Sequence, residues 1–346
     1  MAPSQRYRIE QWLPGLTKRG ISVELLPFAS RELMSLLHKP GRPLAKAALG
    51  AEAMLRRIKA VTSARSYDVV LIHRAACLAG PALLERAIAI MGAPVIFDFD
   101  DAIYLLHTTS ANRSLGWLKF PGKTAAICKL SNQVVVGNSF LADYARQYNP
   151  SVTVVPTSVD TQRYRPVSRP RSNGHIVVGW MGSSTSQTHL EMFGPVLKEI
   201  TREKHIELRV VSDRTPDLPG VKLNWRPWSA ATEAAELADF DIGIMPMPDD
   251  QWSRGKCSLK ALLYMATGVP AVCSAVGANR EIIRHGENGL LASSTDEWVG
   301  GISSLATDRH LRAQLGAAGR QTVEDNYSMD NCAALFESVV RRAVGN

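Results

Sequence analysis

Residues 255–272 read GKCSLKALLYMATGVPAV, a helix-forming run with Lys256 and Lys260 at its start and a stop at Gly268-Val269-Pro270. Glycine just past a helix and proline after it form a stop signal, and the PAVCSA that follows (270–275) has the apolar character of a buried strand. DIGIMP (241–246), upstream of the run, has the same character. Strand, helix and strand in succession build parallel sheets, because parallel neighbours need a crossover connection. A helix start also gathers unpaired backbone N–H groups and a partial positive charge. Two lysines there add full charges, so the position suits an anion. A solvated amphipathic helix with two surface lysines is the plainer alternative and stays open at this point.

The alternation continues outward. HIVVGWMG (175–182), IELRVVS (206–212), VKLNWRP (221–227) and GLLAS (289–293) extend one set of strands. ISVELLPF (21–28), YDVVLIH (67–73), APVIFDF (93–99), NQVVVGN (132–138) and VTVVP (152–156) make an earlier one. Between them VDTQRYRPVSRPRSNGH (159–175), rich in Arg, Pro and Ser and without periodicity, predicts a linker. The expectation is an α/β protein of two tandem doubly wound domains, 1–162 and 163–328, with a helix at 329–346 packing back on the first. The first domain opens on polar residues, so its usual central strand is expected to be absent or to lie upstream. Ligands bind such sheets beyond the carboxyl ends of the strands.

A chain of 346 residues is long enough for two such cores, and 45% apolar with 21% charged residues is the balance of a soluble globular protein. The start MAPSQRYRIEQW lacks the apolar core of a signal peptide and no run reaches the length of a membrane span, which predicts a cytoplasmic protein. Cys77, Cys128, Cys257, Cys273 and Cys332 form no CxxC pair and are expected to be reduced and packed. The net charge of +8 is uneven: residues 1–150 hold 19 Lys/Arg and 10 Asp/Glu, or +9, which leaves 21 against 22, or −1, for the rest. Within the basic half LAKAALGAEAMLRRIKAV (44–61) sets Leu44, Ala48, Leu55 and Ile58 at helical spacing among Lys46, Arg56, Arg57 and Lys59. Such a helix fits an anionic membrane surface, here the inner face, or is simply a solvated face. Nucleic acid is not an expected partner, since aromatic and basic residues do not interleave.

Neither G-x-G-x-x-G nor G-x-x-x-x-G-K-[ST] occurs, which argues against a nicotinamide dehydrogenase or a P-loop nucleotidase. MPDDQWSRGKCSLKALLYMATGVPAVCSAVGANREIIRHGENGLLA (247–292) resembles instead the donor-binding domain of family 4 glycosyltransferases. The likeness takes in VVPTSVDTQRYRP (154–166) and PSQRYRIEQWLPGLTKRG (3–20). It implies a GT-B architecture, two Rossmann-like domains facing a central cleft, with a nucleotide-sugar donor in the second and an acceptor in the first. It also implies a hexosyltransferase type of enzyme that retains the anomeric configuration and needs no metal or other cofactor. The donor diphosphate would meet Lys256, Cys257, Ser258 and Lys260 at the helix start, with Asn279 nearby, and Lys260 would stabilise the departing charge.

The sequence departs from the family pattern at informative places. The family carries two glutamates eight residues apart, and here the matching positions hold Gly255 and Leu263. Its Arg and Lys after the first strand of this domain are replaced by GSSTSQTH (182–189), where Gly182, Ser183, Ser184 and Thr185 would hold phosphate oxygens. In the first half VIFDFDD ends in Asp98, Asp100 and Asp101, carboxylates close enough to demand partners: sugar hydroxyls, a cation or arginines. Asp98 and Asp100 are candidate catalytic groups, while His73, Arg74, Asp101, Asn138 and Ser139 are candidates for an acceptor side that meets a glycan or lipid-linked substrate. Three rivals remain: a D-x-D metal site of the GT-A kind, a nucleotide-sugar epimerase, and a binding protein that keeps the fold without the activity.

Overall fold

The computed structural model describes residues 3–37, 41–77, 80–105, 120, 122–167 and 174–345. The chain divides into two compact units, Met1–Pro156 with Cys332–Asn346, and Thr157–Asn331.

The first unit has four parallel strands in sequential order: β1 (Val70–His73), β2 (Val95–Phe99), β3 (Gln133–Val136) and β4 (Val152–Val154). Every residue of β2 is buried, as a continuous apolar run between two covered faces should be. Register sets His73 opposite Asp98 and Phe99 opposite Val136, so the carboxyl ends of the strands gather at one edge. The helix Met329–Val344 lays Phe336, Val339 and Ala343 into the core formed with Trp12, Leu16, Ile96 and Val155, and the Trp12 and Phe336 rings lie 5.1 Å apart.

One expected strand does not form. Residues 21–27 are irregular, and Val23, Leu25 and Leu26 stand exposed. The stretch forms no ladder with the described strands, and its tethers are of another kind: Arg57 donates to the Leu26 carbonyl at 2.8 Å and Tyr67 to the Glu24 carboxylate. A run of β-prone residues is a strand only where a neighbour completes its ladder.

The second unit is a six-stranded parallel sheet: β5 (Ile176–Met181), β6 (Ile206–Ser212), β7 (Leu223–Pro227), β8 (Ile242–Met245), β9 (Ala271–Ser274) and β10 (Leu290–Ala292). Its order, β10-β9-β8-β5-β6-β7, reverses direction between β5 and β8, which is the switch point where doubly wound sheets open a crevice. Pairing between these two strands ends at Gly179 and Gly243. Beyond it the Tyr264 hydroxyl accepts from the Met181 amide at 3.1 Å and donates to the Ile244 carbonyl at 3.2 Å, replacing the ladder with a wedge. Gly243 is needed beneath it, since a Cβ there would come within 2.5 Å of the Tyr264 ring.

Of the expected linker, residues 168–173 lie outside the described residues. The part before them is held in the second unit, contrary to a free tether. Tyr164 is buried with its hydroxyl on Glu233, and Arg320 donates to the carbonyls of Thr161, Tyr164 and Ala266. Among the described residues no helix is long and apolar enough to cross a membrane.

Replacing Phe336 with Ala should cost about 3–5 kcal/mol, the range for deleting a buried aromatic ring. Amide hydrogen exchange reads it: protection should fall in β2 and β3 and hold in β5 and β6. Equal loss in both sheets would contradict the assignment of this helix to the first unit.

Candidate functional site

The helix Leu259–Ala266 begins at the mouth of the β5/β8 crevice. Its cap residue, Ser258, has φ 53°, donates its hydroxyl to Asn279 Oδ1 at 2.6 Å and accepts from none of the helix amides. Asn279 is itself fixed by its amide on the Ser274 carbonyl at 2.9 Å. The first amides of the helix therefore have no side-chain cap, the condition under which a helix start can take an anion. A non-glycine residue in the left-handed region is uncommon, and the buried Ser258–Asn279 pair is what holds it there.

Lys260 crosses to the loop after β5. A Cβ on Gly182 would lie 2.8 Å from Lys260 Cε and 2.5 Å from the Trp180 ring, so this loop approaches the lysine only because residue 182 is glycine. Lys260 Nζ sits 5.3 Å from the Trp180 ring centroid, and among the described residues no carboxylate pairs with it. Burial, with the charge of Lys256 added, pushes its pKa down to about 8. A cation desolvated beside a second cation is destabilised until an anion arrives. Lys256 lies 5.1 Å from the Trp252 ring, and Cys257, partly exposed, stands between the two lysines in sequence.

The serines after β5 are arranged differently from the expectation of a phosphate cradle. Asp213 accepts from both the amide and the hydroxyl of Ser184, at 2.6 and 2.8 Å, while the Ser183 and Thr185 hydroxyls bond each other at 2.7 Å. A carboxylate already fills that helix start. Farther along the edge, a cavity of about 650 Å³ opens beyond β8, β9 and β10, lined by Met192, Phe193, Met247, Ser274, Arg280 and Trp298.

In the first unit the partners of the aspartates are arginines. Arg8 is fully buried, donates through Nε to both Asp98 oxygens at 3.1 and 3.2 Å, forms a shorter bond through its terminal nitrogen, and holds the Val155 carbonyl at 2.6 Å. His73 Nδ1 is 2.6 Å from Asp98, and His73 Nε2 is 2.8 Å from the Ser4 hydroxyl, which also donates to Asp100 at 2.6 Å. Arg74, with φ 62°, bonds Asp100 at 2.9 Å and Asp101 at 2.5 Å. Burial alone would raise the Asp98 pKa; Arg8 and His73 outweigh it and hold the carboxyl at about 2. Asp100 is likewise lowered against burial, chiefly by Arg74, and Arg74 is raised in return against its own burial. A divalent ion here would have to displace guanidinium groups, and among the described residues no group of three His, Cys, Asp or Glu is arranged to hold a metal. Asn138 is buried as the cap of helix Ser139–Arg146, accepting from the Leu141 amide at 2.9 Å, with Ser139 exposed beside it.

Arg8 and Ser4 were missed in the sequence. The signal was present: Arg8 lies between Tyr7, Ile9 and Trp12, all buried, and a charge on an apolar face needs a buried partner. Trp180, two residues before Gly182, was the other omission.

Residues 175–308 match the family described as Glycosyl transferases group 1. Among curated proteins the chain is 24% identical to a D-inositol 3-phosphate glycosyltransferase of Rhodococcus erythropolis, over 70% of this chain and 63% of that protein. It is also 24% identical to an MMP alpha-(1->4)-mannosyltransferase of Mycolicibacterium hassiacum, over 83% and 74%. The chain thus spans a little under two thirds of the length of the first of these. A glycosyltransferase from Rickettsia africae superposes with TM-score 0.69 at 11% identity, covering 100% of this chain and 96% of that one. A sucrose-phosphate synthase from Thermosynechococcus elongatus gives 0.63 at 14%, over 84% and 78%. The Anabaena HepE protein, solved with UDP and glucose, gives 0.58 at 15%, over 83% and 81%. The chain has the GT-B fold, with two Rossmann-like units.

Changing Asp98 to Asn would strand the buried Arg8 charge. The carboxyl pKa is lowered, from 3.8 to about 2, so its ion pair contributes stability that is present above pH 3.8 and lost as pH falls toward 2. The shift corresponds to about 2 kcal/mol at neutral pH. Urea unfolding of the first unit should show a gap between wild type and variant that closes between pH 4 and 2; a gap independent of pH would refute the pairing.

Proposed function

We propose that the chain is a glycosyltransferase of the hexosyltransferase type. It takes a sugar from a nucleoside-diphosphate donor held by Thr157–Asn331 and passes it to a hydroxyl of a glycan, polysaccharide or lipid-linked acceptor. The observation that carries this reading is Lys260: a partly buried cation without a carboxylate, at an uncapped helix start, on the mouth of the β5/β8 crevice. A diphosphate satisfies that arrangement where a neutral ligand does not.

Catalysis then follows from charge. As the bond from the anomeric carbon to the phosphate oxygen breaks, negative charge grows on the leaving diphosphate. The amides of the helix start and the Lys256 and Lys260 ammonium groups stabilise it more in the transition state than in the bound donor. With retention, the acceptor hydroxyl attacks on the face the diphosphate leaves from, and the departing phosphate takes its proton. No strong protein base is needed, which is consistent with Asp98 and Asp100 being committed to Arg8, Arg74, His73 and Ser4. In this reading Asp98 positions His73 and Arg8, while Asp100, Asp101 and Arg74 offer a balanced set of donors and acceptors to sugar hydroxyls. Two lysines supply the positive charge that a metal brings elsewhere, so no metal is required. The sugar-transferring relatives and the UDP in the Anabaena structure favour a nucleotide-sugar donor.

A panel of sugar nucleotides separates this reading from its rivals. Release of nucleoside diphosphate that depends on an acceptor supports transfer. An isomerised sugar nucleotide without acceptor means an epimerase, and tight binding with neither means a binding protein. Turnover should persist in excess EDTA, and a strict Mn²⁺ requirement would overturn the metal-free mechanism.

Changing Lys260 to Ala should weaken UDP or GDP binding in calorimetry by about 1.5–3 kcal/mol, the range for a charged hydrogen bond. Since the free lysine titrates near pH 8 and only its protonated form attracts the anion, wild-type affinity should fall as pH rises from 7 to 9. Lys260→Arg stays charged throughout and should bind with little pH dependence. A wild-type affinity that does not change over this range removes Lys260 from the site.

A further inference from the structure

The helix Pro43–Thr62 packs with Ala53 and Val61 buried, yet it holds a second apolar face turned outward. Leu44, Leu55 and Ile58 are 85%, 69% and 47% exposed. Leu55 stands eleven positions after Leu44, about three turns on, so these side chains form one stripe, with Ala48 and Ala51 between them. The neighbouring helix Leu83–Ile90 does the same at its two ends, where Leu83 is 66% and Ile90 81% exposed, and Val23, Leu25 and Leu26 add to them from the irregular segment. The three pieces are joined by Arg57 on the Leu26 carbonyl and Arg65 on the Met91 carbonyl at 2.5 Å. Among the described residues, these segments hold eight of the thirteen exposed large apolar side chains. Scattered apolar residues on a surface need no explanation, whereas such a concentration does.

The charge beside this patch identifies what would cover it. Arg56 and Lys59 flank the stripe, and Arg42 precedes the helix, all exposed; Glu52, paired with Arg56 at 3.3 Å, is the only acid on the helix. Arg57 does not belong to this set, because it turns inward to Leu26 and burial lowers its pKa. The half of the sequence that carries the patch has a net charge of +9. A symmetric contact between two copies would bring the same cations together, whereas a negatively charged surface neutralises them as the leucines bury.

We propose that the outward face of helix Pro43–Thr62, with Leu83 and Ile90 beside it, is a docking surface for an anionic lipid bilayer. The helix lies in the interface, with Leu44, Leu55 and Ile58 among the acyl chains and Arg56 and Lys59 at the headgroups. Attachment is reversible, and it is independent of the reading of the donor site.

The test is co-sedimentation of the full chain with phosphatidylcholine vesicles, with and without phosphatidylglycerol. Wild type should bind only the anionic vesicles and should be released near 1 M salt, where the Debye length is about 3 Å. Arg56→Gln with Lys59→Gln should weaken binding about thirtyfold, at about 1 kcal/mol per cation. Leu55→Ser with Ile58→Ser should weaken it about tenfold or more at any salt concentration, and circular dichroism should show both variants folded, as expected for exposed positions. The proposal is overturned if wild type ignores anionic vesicles at low salt, or if both variants bind as wild type does. It is equally overturned if wild type sediments as a dimer that the serine variant dissociates.

Discussion

The second unit depends on one hydroxyl. Tyr264 stands where β5 and β8 would otherwise continue their ladder, and it takes the Met181 amide and gives to the Ile244 carbonyl in its place. Both backbone groups stay satisfied while the strands part, so the crevice opens without orphaned polar atoms. Lys260 is one turn earlier on the same helix, which places its side chain over the opening that Tyr264 maintains. Gly243 and Gly182 make room for the wedge and the lysine in turn. Fold and candidate chemistry thus hang on the same eight-residue helix.

The two units treat charge in opposite ways. In the first, two arginines, Arg8 and Arg74, are hydrogen-bonded to three aspartates, Asp98, Asp100 and Asp101, and removing Asp98 would strip the buried Arg8 of its carboxylate partner. In such a network the acids and bases answer one another across the carboxyl ends of the strands. In the second, Lys260 keeps its charge under desolvation with Lys256 nearby and no acid to offset it. That arrangement carries a desolvation cost that either loss of the proton or a nearby negative charge relieves.

Much of this was legible in the sequence, for identifiable reasons. Strands buried on both faces read as continuous apolar runs, so β2, β3, β5, β6 and β8 were visible, and the stop at Gly268-Val269-Pro270 marked the end of the critical helix. The stretch ISVELLPF misled because propensity is local while a strand needs a partner. The acidic triplet after β2 was visible as a cluster in need of partners. That the partners were Arg8 and Arg74 was not, because Arg8 is ninety residues away and only the fold brings it to Asp98. Likewise the serines after β5 looked available until Asp213, from the loop after β6, was found on Ser184.

The positions where the glycosyltransferase resemblance fails constrain how a donor could be read. Gly255 and Leu263 are both buried, so neither lost glutamate has been replaced by another polar group at its place. A carboxylate on a ribose or sugar hydroxyl contributes a strong, directional contact, on the order of 1.5–3 kcal/mol for a charged hydrogen bond. Under the proposed function, affinity without it leans on the diphosphate, which all nucleoside-diphosphate sugars share. Discrimination among donors then falls to shape and neutral polar groups, which separate close analogues less sharply than a buried charge does. In the proposed reaction, a site organised around Lys260 commits first to the leaving group, the part of the donor whose charge changes during transfer.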